Sequence, residues 1–208
     1  MNHELNTMLL TLFEKKQESK DIISFKFKGS KSIAWRAGQY LFYTFPNDYP
    51  DNRGVTRYFT ISSAPFEKII MITTRISLPS STFKKSLTEM KIGDRITATG
   101  PDGDFTVEDP NKNYVFIAGG IGITPFRSIL LDLDKRNQPL NVTLLYANRT
   151  LDALFKSEFE ALAARHPEFK IYYIISEEPV VETNLMPNVK VMPGKIDETI
   201  IKSLLPPP

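Results

Sequence analysis

The stretch that most constrains this chain is Tyr114-Val-Phe-Ile-Ala-Gly-Gly-Ile-Gly-Ile-Thr-Pro125, with Phe126-Arg-Ser-Ile-Leu-Leu131 behind it. Tyr114 to Ala118 is a short apolar, partly β-branched run, the texture of a strand buried on both faces. Gly119, Gly120 and Gly122 let the backbone turn tightly and approach a ligand closely. Pro125 suits the first turn of a helix, where its missing N–H costs nothing. A strand, a glycine-rich turn and a helix start together aim N–H groups and a positive dipole end at an anion, usually a phosphate. The spacing is not Gly-x-Gly-x-x-Gly, so the standard dinucleotide fingerprint is absent. Taken alone, the stretch also fits a plain strand-to-helix turn.

Two textures flank the linker Glu108-Asp-Pro-Asn-Lys-Asn113, which predicts domains over 1–109 and 110–208. From Met8 to Phe105 the texture is β. Ile22–Lys28 alternates apolar and polar from Ser24 on. Further runs are Tyr40–Phe45, closed by Pro46-Asn47-Asp48, then Arg57–Ser62, Ile69–Arg75 and Arg95–Thr99. Short strands with Gly, Pro and Asn turns predict a closed antiparallel barrel. One helix interrupts them over Thr82–Met90, with Phe83, Leu87 and Met90 on one face. From Asn113 on, strands at Asn141–Tyr146 and Lys170–Ile175 alternate with helices around Leu154–Arg165 and Ile196–Leu204. Alternation of that kind predicts a parallel sheet with helical crossovers.

Composition excludes several chemistries. The 208 residues carry a formal net charge of +2, which gives no reason to expect a nucleic-acid partner. The absence of cysteine excludes disulfides, thiolate nucleophiles and cysteine-ligated iron–sulfur clusters within these residues. His3 and His166 stand far apart without a carboxylate pattern, so they read as solvated surface histidines and no metal site is expected. Met8–Phe13 is apolar but short, lacks a preceding basic flank and runs into Glu14-Lys15-Lys16, so it does not read as a signal peptide. No run approaches the roughly 20 apolar residues of a membrane span. A soluble, cytoplasmic protein is the expectation.

A second motif, Arg57-Tyr58-Phe59-Thr60, lies upstream of the glycine turn. Together the two resemble the ferredoxin–NADP reductase superfamily, marked by Arg-x-Tyr-Ser/Thr and Gly-Gly-x-Gly-x-Thr-Pro in that order. Gly119 to Pro125 matches the second motif in full. Ala37-Gly38-Gln39-Tyr40, Gly93-Asp94, Pro101–Phe105 and Tyr146-Ala-Asn-Arg149-Thr150 are supporting matches, and the resemblance runs from about Thr11 to the end. It implies a six-stranded antiparallel Greek-key β-barrel holding a flavin, usually FAD, followed by a Rossmann-like α/β domain for NADH or NADPH.

Carried over residue by residue, the resemblance implies that Arg57 pairs with the flavin pyrophosphate, a task suited to a forked, always-charged guanidinium. Thr60 would hydrogen-bond near flavin N5. Tyr58 sits inside the motif. Phe59 stands where the family has a Tyr against the flavin ring, keeping the flat surface and losing the hydroxyl. Ile72, Thr74 and Arg75, with Ser81, Thr82 and Phe83, resemble the remaining flavin-phosphate contacts, the last three at a helix start. Lys84 replaces a Ser found in many members. Its charge either takes over the phosphate contact or is solvated beside a plain Ser/Thr cap. Gly119, Gly120, Gly122 and Pro125 would take the nucleotide pyrophosphate, with Thr124 near the nicotinamide. Thr60 and Thr124 are thus the catalytic candidates, since hydride transfer between two rings needs positioning and no side-chain acid or base. Asn148-Arg149 lies where an Arg meets a 2′-phosphate but is compatible with NADH enzymes. Ser176-Glu177-Glu178 puts acids where NADP users often have an Arg, which favours NADH.

The family continues past this C-terminus with a strand bearing a Cys-Gly-Pro-like turn, a helix and a last strand. In its 3-2-1-4-5 sheet, loss of strand 4 would leave Tyr114–Ala118 as an apolar edge. A truncated fragment, a partner chain that completes the sheet, or a domain without full activity would each account for this. The principal expectation is an FAD-dependent NAD(P)H oxidoreductase that passes electrons to a separate acceptor, protein or small molecule. The alternatives are a flavin- or nucleotide-binding regulatory module without full turnover, and a structural electron-transfer subunit.

Overall fold

The structure is a computed structural model and describes residues 6–46 and 50–204. His3, the turn residues Asn47 and Asp48, and the terminal Pro206-Pro207-Pro208 lie outside the described residues. The chain divides into two compact units, Met1–Glu108 with Thr124–Asp132, and Asp109–Ile123 with Leu133–Pro208.

The first unit holds strands β1 (Thr7–Ser19), β2 (Ile22–Gly29), β3 (Tyr40–Thr44), β4 (Thr56–Thr60), β5 (Ile70–Arg75) and β6 (Arg95–Asp102). They form one antiparallel sheet in the order β4-β3-β6-β1-β2-β5. The two outer strands meet just past β4, where Ser62 N–H donates to the Met71 carbonyl at 2.9 Å. Alternate residues turn inward, as a strand's period of two requires. Met8, Leu10 and Leu12 of β1, Phe25 and Phe27 of β2, and Leu41 and Tyr43 of β3 fill one core. Each such side chain removed from water stabilises the fold by about 1.5–3 kcal/mol. Helix α1 (Thr82–Glu89) is capped by Ser81, whose hydroxyl accepts from Lys84 N–H at 3.3 Å, and it buries Phe83 and Leu87 in the same core.

The sequence reading yields five of these strands. The sixth, β1, joins an apolar half, Met8–Phe13, to a charged half that also pairs with β2. There Lys26 reaches Glu14 at 2.8 Å, and Lys15 donates to the carbonyls of Thr88 and Met90.

Strand β7 (Tyr114–Gly119) opens the second unit and runs into a 3-10 turn over Gly120–Ile123. Helix α2 (Thr124–Lys135) follows the turn, and its first part, to Asp132, clusters with the first unit. Then come β8 (Val142–Asn148), α3 (Lys156–Arg165), β9 (Lys170–Ile175), β10 (Thr183–Met186), β11 (Val189–Pro193) and α4 (Glu198–Leu204). The sheet runs β10-β11-β9-β8-β7, with β7, β8, β9 and β11 parallel and β10 antiparallel to β11. The expected parallel sheet is therefore mixed. The β10–β11 hairpin is too short to show a periodicity and is interrupted by Pro187-Asn188.

Two further expectations need correction. Strand β7 is not buried on both faces: it is the last strand of the described sheet, and Val115 and Ile117 are 46% and 50% exposed. Strands β8, through Leu144, Leu145 and Tyr146, and β9, through Tyr173, Ile174 and Ile175, are the ones of this sheet buried on both faces among the described residues. His166 is not a solvated histidine. Its side chain is 21% exposed, with Nε2 at 2.7 Å from Asp134 and Nδ1 at 3.3 Å from Glu168. Among the described residues no helix is long and apolar enough to cross a membrane.

Candidate functional site

The first candidate site is built where β4 passes the start of α1. Strand alternation puts Arg57 and Phe59 on one face, toward Phe83 of the helix. The Arg57 guanidinium lies 5.8 Å from the Phe83 ring, and the Phe59 and Phe83 centroids are 5.6 Å apart. Phe59 also meets Tyr43 edge-on at 5.9 Å. Arg57 Nη1 donates to the carbonyls of Arg53, Gly54 and Thr56 at 2.8, 3.0 and 2.7 Å. Its Nη2 donates to Asp51 Oδ1 at 2.5 Å. Its Nε–H is buried and has no partner among the described residues. An unmet donor on a cation is costly to bury, so that edge of the guanidinium is suited to an oxyanion.

Asp51 ties this arginine to the helix start. Its carboxylate accepts from the Thr82 hydroxyl at 3.2 Å, and its own N–H donates to Thr82 Oγ1 at 3.1 Å. The Arg53 N–H bond and the Arg57 guanidinium hold the Asp51 carboxyl below the usual carboxylate range. Lys84 is neither solvated nor idle, which corrects half of the plain-cap reading. Its Nζ donates to the Arg75 carbonyl at 2.7 Å. Burial, then the charges of Arg53 and Arg75, pull its ammonium below the ordinary lysine value. Arg75 meets Asp21 at 2.9 Å. The cations Arg53, Arg57, Arg75 and Lys84 thus outnumber the carboxylates Asp51 and Asp21 around a helix N-terminus. The arrangement fits the two phosphates of a flavin dinucleotide.

Other motif residues fall elsewhere. Tyr58 points to the opposite face, 70% exposed, with its ring 5.6 Å from Tyr40. Ile72 is enclosed in the barrel core and Phe83 nearly so, while Thr74 is buried on β5. None of these three presents an exposed side chain. Thr60 is half-buried at the end of β4, opposite Tyr40 of β3.

Just past Thr60 is a buried polar knot that sequence reasoning missed. Ser62 Oγ donates to the Met71 carbonyl at 2.9 Å, and Ser63 Oγ donates to the Ile69 carbonyl at 2.7 Å. The Ser62 and Ser24 hydroxyls both meet Thr73 Oγ1, at 3.0 and 2.8 Å. From α2, Arg127 Nη1 donates to the Ser62 carbonyl at 2.9 Å and to Glu67 at 2.8 Å, while Nη2 donates to Glu67 at 3.2 Å. Ser128 Oγ donates to the Ser63 carbonyl at 2.7 Å. The available signal was an arginine set in the apolar run Phe126–Leu131.

The second candidate site is the glycine turn. Gly120 has φ +48°, a conformation that favours glycine. Gly119 and Gly122 differ: a Cβ built on either would meet nothing within 4 Å. Their bare backbone therefore borders open space, as a surface that receives a ligand must. The buried Tyr146 hydroxyl reaches the carbonyls of Gly120 and Leu154 at 3.2 and 3.3 Å, which fixes the turn from below. Thr124, at the start of α2, is buried, and Pro125 follows it in the first turn.

At the far end of β8 and β9 the two loops are joined. Ser176 N–H donates to the Asn148 carbonyl, and the N–H groups of Glu177 and Glu178 both donate to the Arg149 carbonyl. Arg149 Nε lies 3.3 Å from Glu177 Oε1, both side chains being largely exposed. Glu178 accepts from Leu151 N–H at 2.7 Å. The Arg149 charge is thus locally matched by Glu177.

Comparison with known proteins gives two family matches. Residues 9–107 match the oxidoreductase FAD-binding domain and residues 116–204 the oxidoreductase NAD-binding domain. One component of the Na(+)-translocating NADH-quinone reductase of Shewanella putrefaciens is 32% identical over 142 residues, 64% of this chain and 47% of that protein. NADH-cytochrome b5 reductase 1 of Mortierella alpina is 30% identical over 162 residues, 76% of this chain and 52% of that protein. The chain therefore spans about half the length of these two relatives. Among solved structures, the Amycolatopsis cytochrome P450 reductase superposes with a TM-score of 0.77 at 23% identity, over 98% of this chain and 60% of that one. The cytochrome b5 reductase domain of Ulva prolifera nitrate reductase gives 0.75 at 24% identity, over 95% and 81%. At such identities the likeness shows a shared fold.

Proposed function

This chain belongs to the ferredoxin–NADP reductase-like superfamily of flavin oxidoreductases, and on that premise we propose that it is an FAD-dependent module that oxidises NADH and delivers electrons to a separate acceptor. The observation that carries the reading is the buried, unpartnered Nε of Arg57, set among Arg53, Arg75 and Lys84 at the start of α1. Bound flavin supplies the redox chemistry, two-electron on the nicotinamide side and one-electron on the acceptor side. The residues bind and orient. Arg57, the α1 N–H groups and Lys84 hold the phosphates. Phe59 offers a flat apolar wall, and the Thr60 hydroxyl is a hydrogen-bonding group at the strand end. The Gly119–Gly122 backbone receives the pyrophosphate of the nicotinamide nucleotide, with Thr124 beside the nicotinamide. Asn148 and Arg149 face the ribose end. Ser176 and Glu177 favour NADH, because a carboxylate accepts from a ribose 2′-hydroxyl and repels a 2′-phosphate. The named relatives act on NADH, with a quinone or cytochrome b5 as the other partner. A one-electron carrier or a quinone is accordingly the acceptor class proposed here.

The test is an absorbance spectrum of the chain mixed with FAD, followed by anaerobic NADH and then NADPH. A protein-bound flavin band near 450 nm, on the order of what any oxidised flavoprotein shows, bleached preferentially by NADH, supports the proposal. Failure to bind FAD removes its basis. FAD binding without bleaching by either nucleotide favours the regulatory-module alternative.

A further inference from the structure

Arg127 is 7% exposed, a depth at which a guanidinium needs matched charge and full hydrogen bonding. Glu67 supplies the charge through two bonds, and another goes to the Ser62 carbonyl, two residues past Thr60. Glu67 is itself fixed, since its Oε2 accepts from Ala64 N–H at 2.6 Å. Ser128 repeats the attachment one residue on, at the Ser63 carbonyl. Ser62 and Ser63 in turn grip β5 through Met71 and Thr73, and Ser63 also bonds Ile69 just before it. All of these residues, and Thr124, belong to the first compact unit. Arg127 follows Thr124 by three residues, about 4.5 Å of helix at 1.5 Å per residue. Thr60, at the end of the flavin strand, and Thr124, at the start of the nucleotide helix, therefore each lie two or three residues from one hydrogen-bonded knot.

A solely stabilising role would be met as well by packed apolar side chains, which often replace buried ion pairs without loss. Directional bonds to two successive carbonyls instead set a position. We infer that Arg127, with Glu67 and Ser128, is a positioning device that fixes Thr124 relative to Thr60 and thereby sets the rate of hydride transfer, leaving the affinity for either cofactor unchanged. This rests on the function proposed above. A hydride donor and acceptor must sit about 3–3.5 Å apart, and a 1 Å misplacement costs on the order of 100-fold.

The test uses R127K, which keeps the charge and loses the fork, and E67Q, which keeps the shape and loses the charge. In the FAD-loaded protein, the limiting rate of flavin reduction by NADH should fall roughly 10- to 100-fold, with dissociation constants for FAD and NADH unchanged. In the flavin-free protein, deuterium exchange at the Ser62 and Met71 amides should accelerate while the far-UV spectrum is retained. Unchanged reduction rates overturn the inference, as do rate losses matched by equal losses of FAD affinity. If the unsubstituted protein is not reduced by NADH, the functional reading fails on its own. Exchange at Ser62 and Met71 then still tests the knot, and rates equal to those of the unsubstituted chain refute it.

Discussion

Replacing Arg57 with lysine or alanine isolates the contact on which flavin binding should depend. The guanidinium already spends Nη1 on three backbone carbonyls and one Nη2 bond on Asp51. The donor left unpartnered for a phosphate among the described residues is the buried Nε–H. A hydrogen bond between charged groups is worth about 1.5–3 kcal/mol. At 1.4 kcal/mol per decade, that is roughly a 10- to 100-fold weakening of FAD binding. R57K should fall near the weak end of that range, because it keeps the charge and loses the planar fork. R57A should fall near the strong end. Isothermal titration with FAD reads the dissociation constant, and circular dichroism confirms that the barrel is folded. The weakening should shrink as salt rises, since screening reduces the charge term. If R57A binds FAD as tightly as the unsubstituted chain, the phosphate assignment to this face of β4 is wrong.

Three further outcomes are expected. D51N should tighten FAD binding severalfold, because the carboxylate no longer competes with a phosphate for Arg57, and a titration showing weaker binding would make Asp51 an orienting group instead. E177K should raise the NADPH-to-NADH ratio of kcat/KM by removing the acid that matches Arg149, and an unchanged ratio would place donor selection elsewhere. The third concerns Asp134. Burial acts to raise its carboxyl, but the bonds from His166 and Arg165 outweigh this and hold it below its ordinary value of 3.8. A depressed folded-state value adds stability that is present above pH 3.8 and fades as pH falls through the folded value. D134N should therefore lower the denaturation midpoint at neutral pH, with the gap closing in acid. A gap independent of pH would contradict the linkage.

Much of this arrangement could be read directly from the residues. Alternation and Gly/Pro punctuation located five barrel strands, and the Gly119–Pro125 run located the turn and helix start. The same alternation would have set Tyr58 apart, since a residue between Arg57 and Phe59 in a strand must face the other way. Motif membership obscured that. The residues that hold the site were less accessible. Asp51 reaches Thr82 from 31 positions away, and Glu67 reaches Arg127 from 60. Neither belongs to a local pattern, because both bonds exist only once the barrel has folded. Ser62 read as the last residue of a strand and Ser63 as the turn after it, and both became legible as anchors only through partners on β5 and α2.

Gly38 on one hand, and Gly119 and Gly122 on the other, have different mutational histories to be expected. A side chain at Gly38, which has φ +99°, would stand 1.9 Å from the Phe105 carbonyl, so the barrel itself forbids it. Among the described residues no atom stands within 4 Å of a Cβ built at Gly119 or Gly122. A library of variants sorted only for soluble, folded protein should therefore lose every substitution at Gly38 and tolerate alanine at Gly119 and Gly122. Sorted again for growth or colour that requires the nucleotide, it should lose those as well. The difference between the two sorts would map, position by position, where the fold's requirements end and the ligand's begin.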